Sequence, residues 1–493
     1  MNKQLKFITR SIFAMFIVLF GAITIIQVVQ AEELRANPLN KRTTYNAFSV
    51  ERGEILVDGS SIASSIPTSD AYQFQRVYEN GPLYAPITGY FSHYQGITGI
   101  EAAMNSELSG LGNTQFFTRV MRIITGEKPQ GSAVELTIDP AVQQAAWDAL
   151  QGYEGSVVAL NPTNGKILAM VSTPSFDPNL MSSNNDLEII DNYKALQDDP
   201  SKPLMNRAIG GDLFHPGSTY KLLTTAAALE SGAAEPSTEF KNEQAFKLPG
   251  SSNEMHNYGL GLCGSGDKVT LADAVKFSCN VPMGELAGKM DRDEIPKMAA
   301  AFGFGQELSI PLTVTPSQAP VPETDAEAAI SSIGQLDVRA TPMQMAMVSA
   351  GIANGGVVMQ PQLVNQVLAP NFSVEKSFTE AEFANPISAK TASQLTAMMV
   401  AGVNETDGAA YKARIEGTTV AGKTGTAQNG TDAAGNDLPY TLWFTGFAPS
   451  ENPEVAVAVV IANGGGEAHN FQGTSYEIPT NIGKQVMEAV LSQ

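Results

Sequence analysis

The chain has 493 residues and a formal net charge of −20, from 30 basic and 50 acidic side chains. That length implies about two to four domains, and a hydrophobic share of 43% is too high for a chain disordered throughout. The acidic balance argues against a nucleic-acid partner, which needs a basic footprint, and two cysteines with four scattered histidines (His93, His215, His256, His469) argue against a zinc enzyme.

In chain order, Lys3, Lys6 and Arg10 precede nineteen uncharged residues, Ser11–Val29. An apolar run of about 20 residues spans a bilayer as a helix, and basic residues on the near side keep the N-terminus cytoplasmic. The expectation is a cytoplasmic tail over 1–10, a transmembrane signal anchor over 11–31, and residues 32–493 outside the cytoplasm. This makes a single-pass protein of the cell membrane. Val29-Gln30-Ala31 is also a passable cleavage site, so a long cleaved signal is the alternative.

Residues 32–150 read as a separate N-terminal module. Short strand-like pieces, Glu54–Val57 and Pro86–Phe91, alternate with Gly, Pro and Ser clusters. The first helical period is Pro140–Leu150, with Val142, Ala146, Trp147 and Leu150 on one face. From residue 151 the pattern sharpens. Gly155–Leu160 and Lys166–Val171 flank an Asn161-Pro-Thr-Asn-Gly165 turn, and Thr441–Phe447 and Val455–Ile461 flank a second turn at Pro449–Pro453. Ala-, Leu- and Met-rich helices lie between these hairpins. A last helix, Thr480–Leu491, puts Ile482, Val486, Ala489 and Val490 on one stripe. The predicted fold class of 151–493 is α/β, with an antiparallel sheet rather than βαβ units.

Three segments carry the chemistry. In His215-Pro-Gly-Ser218-Thr-Tyr-Lys221, Pro216 and Gly217 break the chain before an apolar helix that runs from Lys221 and closes near Gly232. Ser218 then sits at a helix N-terminus, which favours developing negative charge. Lys221 is one turn on, beside the Ser218 hydroxyl. Such a lysine is a base only if burial or a second cation lowers its pKa. Ser278-Cys279-Asn280 follows a helical stretch, Leu271–Phe277. Lys423-Thr424-Gly425-Thr426 lies in a β-prone run of small residues, where glycines would let a ligand backbone approach a strand. S-x-x-K alone is common by chance. The order S-x-x-K, S-x-N, K-T-G is far more specific.

Other features have plainer readings. Gly417–Thr424 matches the phosphate-loop pattern, but the residues after Lys423-Thr424 cannot form the helix that motif requires. His215 is read as pointing away from Ser218. No G-x-S-x-G elbow occurs. Cys263 and Cys279 lie outside the cytoplasm; they are either a disulfide or two packed thiols.

With these motifs the sequence resembles the class B penicillin-binding proteins, and most of all their small actinobacterial branch. Glu51-Arg-Gly-Glu-Ile55, Thr137–Gln143, Asn206-Arg-Ala208, Ser332–Gln335 and Ala340-Thr-Pro342 are similar to further blocks of that family. The resemblance implies a penicillin-binding, serine β-lactamase-like transpeptidase domain, with an antiparallel five-stranded sheet and helices on both faces. Below it would stand a non-catalytic pedestal over 32–150. It implies a peptidoglycan D,D-transpeptidase that needs no cofactor or metal. Ser218 would be acylated by a stem peptide ending in D-Ala-D-Ala, with Lys221 as base. Ser278 would relay protons. Asn280 would orient the substrate amide, and Lys423 would depress the Lys221 pKa. Thr424 and Thr426 would bind the substrate carboxylate beside Gly425. The Ser218 and Thr426 backbone N–H groups would form an oxyanion hole. An amine of a neighbouring stem would accept the acyl group, and β-lactams would stall at acyl-Ser218. The implied protein partners are a SEDS-family glycan polymerase and other cell-wall synthesis proteins.

The alternatives are a D,D-carboxypeptidase or serine β-lactamase, and, outside enzymes, a β-lactam sensor or scaffold. No Glu-x-x-x-Asn lies between Ser278 and Lys423, and all three motifs are complete.

Overall fold

The computed structural model describes residues 3–30, 34, 50–70, 72–110, 130–211 and 213–493. Ala31 of the alternative cleavage site, and the charged residues Glu32, Glu33 and Arg35 beyond it, lie outside the described residues.

The catalytic half is organised by one five-stranded sheet. Its strands are β1 (Gly155–Leu160), β2 (Ile167–Thr173), β3 (Ala421–Ala427), β4 (Thr441–Ala448) and β5 (Val455–Ile461). The spatial order is β3-β4-β5-β1-β2, antiparallel throughout. Every residue of β5 is buried, because helices cover both faces. Successive residues therefore feed two cores. Val157, Val457 and Val459 pack with α1 (Pro140–Leu150) and the C-terminal α5 (Ile478–Leu491). Val158, Ala458 and Val460 belong to the core that holds α2 (Lys221–Ser231), α3 (Pro342–Ala353) and α4 (Ala389–Asn404). The expected α/β fold with an antiparallel five-stranded sheet and helices on both faces is thus present.

Helix α1 starts at Pro140 because Asp139 caps it, accepting from the Ala141 and Val142 N–H groups. Its apolar stripe (Val142, Ala146, Leu150) lies on the catalytic sheet. Packing thus joins residues 140–150 to the catalytic half, although their position before residue 151 grouped them with the N-terminal module.

The N-terminal module carries its own sheet of Ile55–Val57, Ser60–Pro67, Phe74–Tyr78 and Ala133–Leu136, extended by Val364–Leu368 and Val374–Ser377 from far down the chain. The two halves are therefore stitched by a shared sheet. Under it a buried cluster forms: Glu101 accepts from Arg52 Nε at 2.5 Å and from Arg76 Nε at 2.7 Å. Burial alone would raise the Glu101 pKa, but the two guanidinium groups hold it below the ordinary carboxylate range.

One sequence expectation fails here. Pro86–Phe91 is not a strand: Gly81–Thr88 is a helix buried on most sides, ended by Gly89 at φ 64°, and only Phe91–Ser92 is extended. A short apolar run reads alike as a buried strand or a buried helix, and packing decides between them.

Near the N-terminus, helix Lys3–Thr24 continues in a wider turn, Ile25–Val29. Gln4–Val29 is long and apolar enough to cross a membrane.

Candidate active site

Ser218 lies in a tight 3-10 turn, Gly217–Tyr220, and α2 begins only at Lys221. The serine thus sits at the helix N-terminus, with the α-helix running from Lys221 as the sequence suggests. In a 3-10 turn side chains three apart eclipse, so Ser218 and Lys221 share one side. Gly217 adopts φ 53°, and a Cβ there would lie 2.6 Å from Thr426 O. A Cβ on Gly425 would lie 2.8 Å from Pro216 O. These glycines seat the serine turn directly on β3. At Gly425 the chain itself approaches the strand closely, and the residue also lines the cleft.

Distant residues fix the turn. Trp443 Nε1 donates to His215 O at 2.8 Å, and Gly217 N donates to Gly334 O at 3.0 Å. Thr224 Oγ1 donates to Ser332 O at 2.7 Å. The His215 ring sits 3.0 Å from Val338 O, engaged with the 336–339 loop. Burial and the Arg339 charge lower its pKa.

Helix Leu271–Lys276 is started by a Thr270–Asp273 capping box. Ion pairs from Lys276 to Glu405 and Asp407 fasten its end. Ser278 then takes φ 62°, a left-handed conformation that is costly for a serine and is typical of functional sites. This reverses the chain so that Asn280 starts the helix Val281–Ala287. Cys263 and Cys279 are disulfide-bonded, with Cα atoms 5.7 Å apart.

The motifs converge on two buried amines. Lys221 Nζ donates to Asn280 Oδ1 at 2.7 Å and to Ser278 O at 2.8 Å. Lys423 Nζ donates to Ser278 Oγ at 2.7 Å and to Thr424 O at 2.9 Å. Burial, and then the Lys423 cation, pushes Lys221 well below the ordinary lysine range. Burial alone lowers Lys423 to about 7. Ser218, Ser278, Asn280, Thr424, Gly425 and Thr426 line one cleft of about 1120 Å³. Leu248, Met255, Ile330, Ile333 and Leu336 add an apolar wall, and Tyr476 and Glu477 a polar rim. No cluster of metal ligands occurs among the described residues.

Two residues at this site gave no sequence signal. The Ser475 hydroxyl is 2.9 Å from Thr426 Oγ1, and the buried Asn257 bonds to the S-x-N turn. Each lies alone in a loop, and only folding brings it to the motifs.

Residues 155–488 match the family model of the penicillin binding protein transpeptidase domain, and residues 52–134 that of the penicillin binding protein A dimerisation domain. The chain is 39% identical to the peptidoglycan D,D-transpeptidase PbpA of Mycolicibacterium smegmatis, over 100% of both chains. It is 38% identical to the PbpA of Mycobacterium tuberculosis, over 100% of this chain and 99% of that one. Among solved structures, penicillin-binding protein A of M. tuberculosis as its ceftriaxone acyl-enzyme superposes with a TM-score of 0.86 at 38% identity, covering 91% of this chain and 100% of that chain. The penicillin G acyl-enzyme of the same protein gives 0.82 at 38% identity, over 90% and 100%. With similarity along the whole chain and residues of all three motifs brought to one cleft, the chain belongs to the penicillin-binding protein transpeptidases and is a serine-type peptidoglycan D,D-transpeptidase.

Proposed function

We propose that Ser218 is the nucleophile of this transpeptidase and Lys221 its base. The observation that carries the reading is the bonding of the buried Lys221 amine to Asn280 Oδ1 and Ser278 O. A neutral amine has two N–H groups and one lone pair. With both N–H groups engaged, the lone pair remains for the Ser218 proton, and burial favours that neutral form.

Ser218 Oγ attacks the carbonyl carbon of the penultimate D-Ala of a donor stem, and its proton passes to Lys221. The tetrahedral oxyanion is held by the Ser218 and Thr426 backbone N–H groups. Ser278 accepts from Lys423, so its own O–H gives its proton to the leaving nitrogen and is restored by the proton that Lys221 took from Ser218. The C–N bond breaks, the terminal D-Ala departs protonated, and acyl-Ser218 remains. An amine of a neighbouring stem then attacks the ester, losing its proton as Ser218 regains one. The Thr424 and Thr426 hydroxyls bind the terminal carboxylate, and Gly425 keeps β3 against the serine turn. A β-lactam follows the first half of this path and stays bound, because its leaving nitrogen remains tethered.

The helix Gln4–Val29 supports an anchor in the cell membrane with the catalytic half outside the cytoplasm. Family likeness supports a SEDS-type glycan polymerase as partner. The deciding experiment is intact mass after incubation with penicillin. Wild type gains one penicillin per chain on the Ser218 peptide, and Ser218→Ala gains none. Equal labelling of both ends the assignment.

A further inference from the structure

Asn280 occupies the N-cap of helix Val281–Ala287, yet its side chain makes no cap hydrogen bond. A side-chain cap would accept from the second or third amide of the helix, but the second residue is Pro282, which has no N–H, and Met283 N already donates to Asn280 O at 3.0 Å. Here it is turned outward: Oδ1 accepts from Lys221 Nζ at 2.7 Å, and Nδ2 donates to His256 O at 2.7 Å. The amides that open the helix still need a partner, since a buried unpaired N–H is costly.

Asn257 supplies it from across the fold. Its Oδ1 accepts from Asn280 N at 2.9 Å and from Val281 N at 3.0 Å. Its Nδ2 donates to Glu243 O at 3.0 Å and to Gly261 O at 3.2 Å. All four hydrogen-bonding sites of the amide are therefore used, and the residue is only 5% exposed. Two N–H donors on one side and two carbonyls on the other fix which way the amide faces.

We infer that Asn257 is a positioning residue for the transpeptidation reaction: it holds the Asn280 and Val281 backbone amides and so keeps the Asn280 side chain on the Lys221 amine. The inference rests on Lys221 acting as the base for Ser218. Without Asn257, the Asn280 and Val281 amides lose their partner, and the backbone that aims the Asn280 side chain is free to shift. Each such shift removes an acceptor from Lys221. That loss disfavours the charged amine, so the Lys221 pKa falls while the amine loses its alignment.

The test compares Asn257→Ala and Asn257→Asp with wild type, in the full chain. The readouts are penicillin acylation rate across pH, and melting temperature. Asn257→Ala should acylate about tenfold more slowly, the scale of one buried hydrogen bond, with the acid limb of its profile moved to lower pH. Asn257→Asp still offers an oxygen to the Asn280 and Val281 amides, but turns its other oxygen on the Glu243 and Gly261 carbonyls. It should therefore lose stability as the alanine variant does, yet keep more acylation at matched melting temperature. Ile189→Ala, in a separate small core, serves as the stability control and should keep the wild-type pH profile. The inference is overturned if Asn257→Ala acylates within threefold of wild type with an unmoved profile. It is equally overturned if both Asn257 variants merely follow the stability loss of the control. Failure of wild type to label at Ser218 would instead overturn the underlying assignment.

Discussion

Lys423 Nζ lies 2.7 Å from Ser278 Oγ, so the lysine of the third motif holds the serine of the second. Ser278 in turn lends its carbonyl to Lys221. One left-handed residue thus bridges two amines whose charged forms are both disfavoured by burial.

The lysines should separate in kinetics. Lys221→Ala removes the proposed base and should slow acylation by ~10²–10⁴-fold, as for other losses of a general base. Lys423→Ala removes the neighbouring cation and lets the Lys221 pKa rise. Acylation needs neutral Lys221, so the acid limb should move to higher pH with part of the activity kept. Stopped-flow acylation between pH 5 and 9 checks both. Acylation by Lys221→Ala within threefold of wild type would move the base elsewhere.

Lys423 should also cost stability. Its pKa falls from an ordinary value of about 10.4 in the unfolded chain to about 7 when folded. Between those values the unfolded chain binds the extra proton, so stability rises with pH across that window. Lys423→Met should melt higher than wild type at pH 7, with the gap closing toward pH 10, while part of the acylation is kept. A lower melting temperature at pH 7 would show that the amine's bonds to Ser278 and Thr424 outweigh its desolvation.

The Cys263–Cys279 disulfide closes a loop of sixteen residues beside the S-x-N turn. On loop entropy it should contribute about 3 kcal/mol. Urea unfolding of Cys263→Ser should show that loss under oxidising conditions and none against reduced wild type. Two alkylatable thiols in natively exported protein would contradict the bond.

Glu101 anchors the N-terminal module through Arg52 and Arg76. Glu101→Ala leaves two buried guanidinium groups unpaired and should cost ~3–5 kcal/mol. Limited proteolysis should then release the module's strands first. Unchanged melting would mean that water replaces the carboxylate.

The anchor should recruit as well as tether. Replacing residues 1–31 with an unrelated membrane helix should leave penicillin acylation intact but weaken co-purification with the proposed SEDS-type polymerase. An unchanged yield of that complex would reduce the helix to a tether.

Local chemistry in the sequence was enough for much of this. Proline and glycine punctuation marked the serine turn, alternation and turn residues marked both hairpins, and motif order identified the family. These are short-range signals, set within a few residues by dihedral preference and side-chain spacing. Tertiary structure decided the rest. Gly81–Thr88 became a helix because its apolar residues are buried on most sides. Strand Val364–Leu368 joined the N-terminal sheet from more than two hundred residues beyond Ala133–Leu136. Asn257 came to hold the first amide of a helix that starts 24 positions later. Each depends on contacts between distant segments, whose loop-closure cost is repaid only by the assembled core, and no local pattern encodes them.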